Sequence, residues 1–264
     1  MSTWGDEVVP DAAEDVRACG FRLVAVTERS LCAEPLAQRV ARLALAGFDR
    51  IVVREKDLDA KAYVHLLERL LAQAEDAAAP EGLAGLLRTK LVVHSHVEAA
   101  CALGIPRVHV PLSKLQRLTA RNGAHAAADA CHAIDAPVAD VRCACHVLAG
   151  FEEVGTSVHS IEEVMLARSL GATQLFAGHV FPTDCKPGLA PRGLDFLRAA
   201  ARAAAPLDVC AIGGVGVANV ASVVAAGARG ACLRSSAMTA EDPAALAASL
   251  RRAAAFNQRA SVRM

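Results

Sequence analysis

The feature that most constrains the fold is a regular alternation of two kinds of segment. Eight short apolar runs, many with β-branched residues, recur along the chain. They are RLVAVT (22–27), RIVVRE (50–55), KLVVHS (90–95), RVHVPL (107–112), EVGTSVHS (153–160), QLFAGHVF (174–181), LDVCAIGG (207–214) and GACLRSS (230–236). They lack the strict alternation of apolar and polar residues that a half-exposed strand shows. Near-continuous apolar runs are typical of parallel strands buried on both faces.

Amphipathic segments rich in alanine and leucine separate most of these runs, and several end in glycine, as helices often do: Gly47, Gly104, Gly171 and Gly227. Ser160 and Glu163 form a capping box that starts one of them. Strand and helix repeated eight times predict an α/β fold, a single (β/α)8 TIM barrel. The alternative is a doubly wound sheet, which usually has fewer repeats and a glycine fingerprint after its first strand. AVTERSLC (25–32) carries no such fingerprint.

The length indicates one domain. A chain of 264 residues, 54% of them hydrophobic, can bury one sizeable core. We expect the barrel to span residues 21–264 and residues 1–20 to form an N-terminal extension, either a helix or an arm. The connection from Ser113 to Glu153 is long enough to hold an inserted helix.

The charge balance excludes several classes of partner. Twenty-eight basic and 28 acidic side chains with no long basic run favour neither nucleic acid nor an anionic membrane, and aromatic residues are scarce at 3%. No apolar run reaches the roughly 18 residues of a membrane-spanning helix. The acidic start lacks the pattern of a secretory signal. We therefore expect a cytoplasmic enzyme with a small-molecule substrate, and association into a homo-oligomer stays open.

The nine cysteines admit two interpretations. Cys143 and Cys145, with Cys131, His132 and His146 nearby, contain the residue types of a zinc site. Their spacing matches no standard zinc pattern, so free thiols in a reducing compartment are favoured.

Candidate functional residues follow from the barrel, because active sites of such barrels lie at the C-terminal ends of the strands. The polar and glycine residues at those ends are Thr27, Arg54, Glu55, Lys56, His94, Ser95, His96, His109, Ser157, His159, His179, Gly213, Gly214, Ser235 and Ser236. Five of the nine histidines fall there, which favours a functional cluster, although any one of them could be structural.

The seventh and eighth strand ends predict a phosphate site. Gly213 and Gly214 precede one helix, and Ser235 and Ser236 precede the last. Loops at these two positions of a barrel often bind phosphate through backbone N–H groups, and glycine allows close approach of the anion. The alternative is a pair of tight turns.

Two further strand ends carry charged or titratable pairs. Arg54 and Lys56 alternate, so both should point into the barrel mouth toward a multiply charged anion, unless they pair with Glu55. His94 and His96 should likewise share one face. A metal would need a third ligand, which the neighbouring strand ends lack, so a non-metal role is favoured.

Several motifs together resemble a known superfamily. They are VTER (26–29), REK (54–56), RVHVPL (107–112), GTSVHSIEEV (155–164), AIGGV (211–215) and GACLRSSAM (230–238). From Phe21 to about Ala255 the chain resembles thiamine phosphate synthase and its sister, the thiazole tautomerase of TenI type. The resemblance implies a (β/α)8 barrel that binds the phosphorylated thiazole half of thiamine.

The synthase pattern is incomplete in this chain. It has a glutamine two residues before the arginine of REK, an Asn-Asp pair on strand three, and an aspartate after strand four; the two aspartates hold Mg²⁺ on a pyrophosphate. Here Val52 takes the glutamine position, His94-Ser95 replace the pair, and Lys114 lies near the last aspartate position. The metal carboxylates are therefore missing.

The stretch GHVFPTDCK (178–186) resembles the tautomerase instead. The resemblance implies that His179 carries the proton that aromatises a thiazole carboxylate phosphate, without metal or cofactor. From their positions and charges we expect substrate and phosphate binding by Arg54, Lys56, Thr183, Lys186, Gly213, Gly214, Ser235 and Ser236, with His94, His109 and His159 lining the pocket. The alternatives are a thiamine phosphate synthase and a non-catalytic protein that binds thiazole phosphate.

Overall fold

The computed structural model describes residues 20–76, 80–120, 148–183 and 188–261, and side chains as far as residue 255. The predicted extension at residues 1–20, apart from Gly20, lies outside these ranges. So do Lys186, Asp184 and the cysteine- and histidine-containing segment 131–146, so the zinc interpretation stays a hypothesis.

Eight parallel strands, all within the described ranges, close into one barrel in sequence order, with β8 paired to β1. They are β1 (Arg22–Val26), β2 (Arg50–Val53), β3 (Leu91–His94), β4 (Arg107–His109), β5 (Glu153–Val158), β6 (Gln174–Gly178), β7 (Asp208–Ile212) and β8 (Gly230–Leu233). Each strand lies within one of the eight apolar runs. The predicted (β/α)8 barrel is therefore confirmed.

Helices surround this barrel. Those described are α1 (Leu36–Leu45), α2 (Ala60–Glu75), α3 (Leu83–Lys90), α4 (Val97–Ala102), α5 (Leu112–Ala120), α6 (Ile161–Ser169), α7 (Gly193–Ala204), α8 (Val220–Ala225), α9 (Ser235–Thr239) and α10 (Pro243–Ser261). The predicted capping box starts α6, where the Glu163 backbone N–H donates to Ser160 Oγ at 3.2 Å. Two helices were not predicted. Helices α3 and α9 each add a second helix to one repeat, so the simple strand–helix alternation does not reveal them.

The strands separate two apolar layers because alternate side chains point to opposite faces. Leu23 and Ala25 belong to the large core between the barrel and its helices. The inward side chains form a smaller cluster inside the barrel: Val24, Val26, Val52, Val92, Phe176, Cys210 and Cys232. Val26, Val52, Phe176 and Cys232 of this inner cluster also line the cavity at the C-terminal strand ends.

A polar network lies at the opposite end of the barrel. Arg22 donates to Gln174 Oε1 at 2.6 Å and forms ion pairs with Glu153 and Asp208 at 3.7 and 3.8 Å. Glu153 also accepts a 2.9 Å hydrogen bond from Arg50 Nε. These contacts join β1, β2, β5, β6 and β7 across the barrel, so they close its N-terminal end.

The described cysteines Cys32, Cys101, Cys210 and Cys232 are free thiols, as expected for a chain without a disulfide framework. In the part of the chain that the structure describes, none of the helices has the length and apolarity needed to cross a membrane.

Candidate active site

A cavity of about 810 Å³ opens at the C-terminal ends of the strands. This volume suits a small-molecule ligand, since such sites usually measure about 300–1,000 Å³. The predicted site residues that line it are Arg54, Lys56, His94, His109, His159, His179, Thr183, Gly213, Gly214, Ser235 and Ser236. The structure thus brings these residues together, whereas Thr27, Glu55, Ser95 and His96 are not among the residues that line the cavity and Lys186 lies outside the described ranges.

The glycine turn after β7 packs directly on the segment that carries His179. The Phe181 N–H donates to the Gly213 carbonyl at 3.0 Å, so the segments that follow β6 and β7 stay hydrogen-bonded beyond the ends of the two strands. Gly213 has φ +95° and Gly214 has φ +66°, where a side chain is strained. A Cβ at Gly213 would also lie 2.8 Å from the Cα of His179. The turn therefore requires glycine for packing, in addition to any approach of an anion.

Asn219 braces this turn, which the sequence analysis did not predict. Its side chain accepts a hydrogen bond from the Gly216 N–H at 2.9 Å and donates to the Gly214 carbonyl at 2.8 Å. The motif AIGGVGVAN contains Asn219, but only the folded turn shows that its side-chain amide hydrogen-bonds the backbone of both Gly214 and Gly216.

The His179 side chain is almost fully buried, at 6% exposure. Its Nε2 lies 3.2 Å from the carbonyl oxygen of Leu189. Because a carbonyl only accepts, this contact places a proton on Nε2. In the neutral ring the lone pair is then on Nδ1, which is buried with no hydrogen-bond partner among the described residues. In this arrangement Nδ1 could accept a proton from a ligand that reaches it.

Glu55 lies away from the two cations beside it in sequence. Its carboxylate accepts hydrogen bonds from Thr27 Oγ1 at 2.6 Å and from the backbone and side chain of Arg29 at 3.1–3.2 Å. Thr27 Oγ1 in turn accepts from the Arg54 N–H at 2.9 Å. The VTER and REK motifs therefore lock the loops after β1 and β2 together, and Arg54 and Lys56 line the cavity.

Arg234 also lines the cavity, and the sequence analysis missed it. Its Nη1 donates to Glu28 Oε2 at 3.2 Å, and the same oxygen forms an ion pair with Arg54 Nη1 at 3.7 Å. In LRSSAM only the two serines had been predicted as site residues. An arginine at the end of β8 was a signal of the same kind as Arg54 at the end of β2.

His94 and His109 occupy matched positions on β3 and β4, and their rings stack with centroids 5.9 Å apart. The ring of His109 stacks in turn on Phe176 at 4.3 Å. Burial lowers the pKa of His109 to about 3, with smaller contributions from His94 and Arg54. Burial, followed by Arg54 and Lys56, lowers the pKa of His94 to about 3. Both rings are therefore neutral at physiological pH.

The two nitrogens of His109 differ in their surroundings. Nε2 lies 3.0 Å from Ser157 Oγ, whereas Nδ1 faces Gly155 and has no hydrogen-bond partner within the described residues. A Cβ at Gly155 would lie 2.6 Å from that Nδ1, so the glycine of GTSVHS makes room for the ring.

The expectation that His94 and His96 share one face is wrong. Ser95 has a positive φ of 65°, which interrupts the alternation of the strand. His94 lines the cavity, whereas His96 stacks on Tyr63 with centroids 4.3 Å apart. Lys114 Nζ donates to the Ser95 carbonyl at 2.6 Å. The turn after β3 is thus held by hydrogen bonds and ring stacking.

His159 is paired with a carboxylate at the rim. Its Nδ1 lies 3.3 Å from Glu163 Oε2, and its N–H donates to the same oxygen at 2.6 Å. Glu163 is the one acidic residue among the described residues that line the cavity, which also include the cations Arg54, Lys56 and Arg234. The described wall therefore favours an anionic ligand.

The described residues do not fit Mg²⁺, the ion that the synthase resemblance would require. No group of three or more His, Cys, Asp or Glu able to hold a metal occurs in the described ranges. Of the four positions that differ from the synthase pattern, Val52 is apolar and the other three hold an imidazole, a hydroxyl and an ammonium. The Lys114 ammonium donates to the Ser95 carbonyl. Hard divalent ions prefer carboxylate oxygens, which these positions do not supply.

Comparison with known families assigns the chain. Residues 23–237 match the family model described as thiamine monophosphate synthase. The chain belongs to the thiamine monophosphate synthase family. The superfamily resemblance seen in the motifs is confirmed, while its TenI-type branch is not. Relatives named thiamine-phosphate synthase include a protein from Roseiflexus sp. strain RS-1, which is 30% identical over 89% of this chain and 86% of its own length. Another, from Roseiflexus castenholzii, is 32% identical over 83% of this chain and 82% of its own.

Solved structures agree with the fold. The thiamine phosphate pyrophosphorylase from Pyrococcus furiosus superposes with a TM-score of 0.63 over 90% of this chain and 97% of its own, at 23% identity. A 3-hexulose-6-phosphate synthase gives a TM-score of 0.53 at 19% identity. These likenesses support the barrel of this family member and carry no argument about its substrate.

Proposed function

We propose that this family member is a thiazole tautomerase, which aromatises a thiazole carboxylate phosphate by proton transfer without a metal. The observation that carries the proposal is the position of His179. The Cα and Cβ of His179 pack against the Gly213 turn, which belongs to the proposed phosphate seat formed by Gly213, Gly214, Ser235 and Ser236. The described lining of the surrounding cavity is cationic. A substrate held there by its phosphate would present its ring to the imidazole.

The reaction removes a proton from the ring carbon next to the carboxylate and adds one to the exocyclic carbon. In the tautomer that the Leu189 contact favours, His179 Nδ1 accepts the first proton. The resulting imidazolium then delivers a proton to the exocyclic carbon. The gain of aromaticity drives the step, so one acid–base group is sufficient.

Nδ1 of His179 is buried in the described conformation, so substrate binding has to expose it. The contact that holds the ring is made by the backbone of Leu189, whose side chain is 62% exposed. Movement of this loop segment or rotation of the imidazole would release Nδ1 toward the cavity. Catalytic hydrogen bonds commonly form only in the complex with substrate.

The remaining roles follow from charge and position. Backbone N–H groups at Gly213 and Gly214 and the hydroxyls of Ser235 and Ser236 would hold the phosphate. Arg54, Lys56 and Lys186 would neutralise the anionic groups of the substrate, and the Thr183 hydroxyl would donate a hydrogen bond to them. His94 and His109, neutral and stacked, would form a flat wall next to the heterocycle.

A second candidate is thiamine phosphate synthase, which joins pyrimidine methyl pyrophosphate to thiazole phosphate. The names of the relatives that are 30–32% identical favour it. The lack of fit to Mg²⁺ described above counts against it. Both reactions use a thiazole phosphate, so the proposed phosphate seat serves either one.

Two assays on the purified protein separate the candidates. The thiazole tautomer is supplied alone and aromatisation is followed by absorbance. Pyrimidine methyl pyrophosphate and thiazole phosphate are then supplied with Mg²⁺ and thiamine phosphate is measured. Aromatisation without thiamine phosphate formation supports the tautomerase. Formation of thiamine phosphate at a rate far above the aromatisation rate would replace it with the synthase.

A further inference from the structure

Arg234 lies between the proposed phosphate seat and the other two cations that line the cavity in the described ranges, Arg54 and Lys56; these three residues form the cationic wall. It follows β8 directly and precedes Ser235 and Ser236, and all three residues line the cavity. A guanidinium at this position is next in sequence to the Ser235 and Ser236 hydroxyls that are proposed to bind the phosphate.

The surroundings of Arg234 come from three neighbouring strands. Arg234 follows β8, Glu28 follows β1 and Arg54 follows β2, and these strands are adjacent in the barrel. A single oxygen of Glu28 meets both guanidinium groups, at 3.2 Å from Arg234 and 3.7 Å from Arg54. One carboxylate thus faces two positive charges, and this part of the wall attracts a further anion.

The seat itself supplies little charge. Helix α9, which begins at Ser235, has only five residues, so few peptide dipoles align behind it. Serine hydroxyls and backbone amides are neutral donors. A cationic side chain nearby would strengthen the binding of a phosphate dianion at this seat, since guanidinium groups bind phosphate with two parallel, charge-assisted hydrogen bonds.

We propose that the Arg234 side chain is a phosphate ligand, and that Glu28 is the counter-ion that it leaves when the phosphate binds. This inference rests on the proposed function, because it assumes a phosphorylated substrate. The exchange costs little free energy, since the side chains of Arg234 and Glu28 are 27% and 30% exposed, and partly solvated ion pairs are weak. In the free protein Glu28 also repels the incoming dianion.

Calorimetric titration tests the role of Arg234, with thiazole phosphate, the unphosphorylated thiazole alcohol and inorganic phosphate as probes. Arg234→Met should weaken the binding of both phosphate-bearing probes about 10- to 100-fold, the usual effect of losing hydrogen bonds to a charged group. Binding of the alcohol should stay unchanged. Arg234→Lys keeps the positive charge but lacks the paired N–H donors of a guanidinium, so its affinity for these probes should lie between those of the wild type and Arg234→Met. Arg198→Met, on the exposed face of α7, is the matched control.

Glu28→Gln tests the exchange. Loss of the carboxylate removes its repulsion and its competition for Arg234, so both phosphate-bearing probes should bind roughly two- to tenfold more tightly. A purely structural role of Glu28 requires weaker binding instead, and that result would overturn the exchange.

Other outcomes separate this inference from the proposed function. If the wild-type protein binds thiazole phosphate and both Arg234 variants bind it equally well, the role of Arg234 is wrong and the proposed function stands. If the wild-type protein binds neither phosphate-bearing probe, both are wrong. Circular dichroism of each variant shows that it is folded; should Arg234→Met fail to fold, Arg234→Lys alone decides the first question.

Discussion

Gly213 and His179 lie so close together that a Cβ on the glycine would be 2.8 Å from the Cα of the histidine. The proposed phosphate turn and the proposed proton carrier are therefore parts of one packed unit. A change in either should disturb the other.

Gly213→Ala tests this unit. The new methyl group overlaps the His179 segment and the backbone at φ +95° becomes strained, which together should cost about 1–3 kcal/mol of unfolding free energy. Displacement of the imidazole should also lower kcat. Denaturant unfolding and steady-state kinetics measure the two effects. Gly216→Ala is the matched control, since nothing lies within 4 Å of its Cβ position. Equal effects of the two substitutions would contradict the coupling.

His179→Asn should lower the rate of thiazole aromatisation about 10²- to 10⁴-fold, the usual contribution of a positioned acid–base group. Affinity for the aromatic product should change little, because the phosphate contacts remain. Single-turnover absorbance and calorimetry provide the measurements. His65→Asn, on the exposed surface of α2, should retain wild-type kinetics. Near-wild-type turnover in His179→Asn would transfer the role to another residue, with His109 and His159 tested next.

Acid should destabilise the protein through His94 and His109. Both have a folded-state pKa lowered from 6.5 to about 3, so the unfolded chain binds their protons first. Their contribution to stability is complete above pH 6.5 and is lost progressively as the pH falls toward about 3. Urea unfolding measured between pH 7 and pH 3.5 should show this decline.

The His94→Asn variant removes one of these titrating groups, so its unfolding free energy should depend less steeply on pH over the same window. Identical slopes in the wild type and His94→Asn would show that the ring of His94 is already solvated in the folded state.

EDTA should leave aromatisation of the thiazole tautomer intact. Within the described ranges no cluster of carboxylates, histidines or cysteines is arranged to hold a divalent ion, and Lys114 donates to the Ser95 backbone near one expected ligand position. Rates are compared before and after dialysis against EDTA. Complete loss with recovery on Mg²⁺ would favour the synthase.

The barrel could be predicted because each strand is a short apolar run, and such a run can be recognised from the local sequence without knowledge of its partners. Placement of the site residues followed, since parallel strands that close into a barrel bring their C-terminal ends to one opening. The extra helix α3 was missed because it follows α2 instead of a strand. Its buried Leu83 and Leu87 give only one turn of helical periodicity.

Pairings between distant residues could not be predicted. Glu28 and Arg234 are 206 positions apart, and nothing in either motif indicates the other. The same holds for the Leu189 carbonyl that contacts His179, since any residue can supply a backbone oxygen. The error over His96 has a local cause, because a single positive φ at Ser95 reverses the face expected from strand alternation.

The polar network of Arg22, Glu153 and Asp208 closes one end of the barrel, and the inner cluster fills the space above it. Substrate and product therefore have to enter and leave through the same opening, at the C-terminal ends of the strands. A product that retains its phosphate should still occupy the proposed phosphate seat, so it should inhibit competitively against substrate. Its release should therefore depend on the same cationic residues that are proposed to bind the substrate.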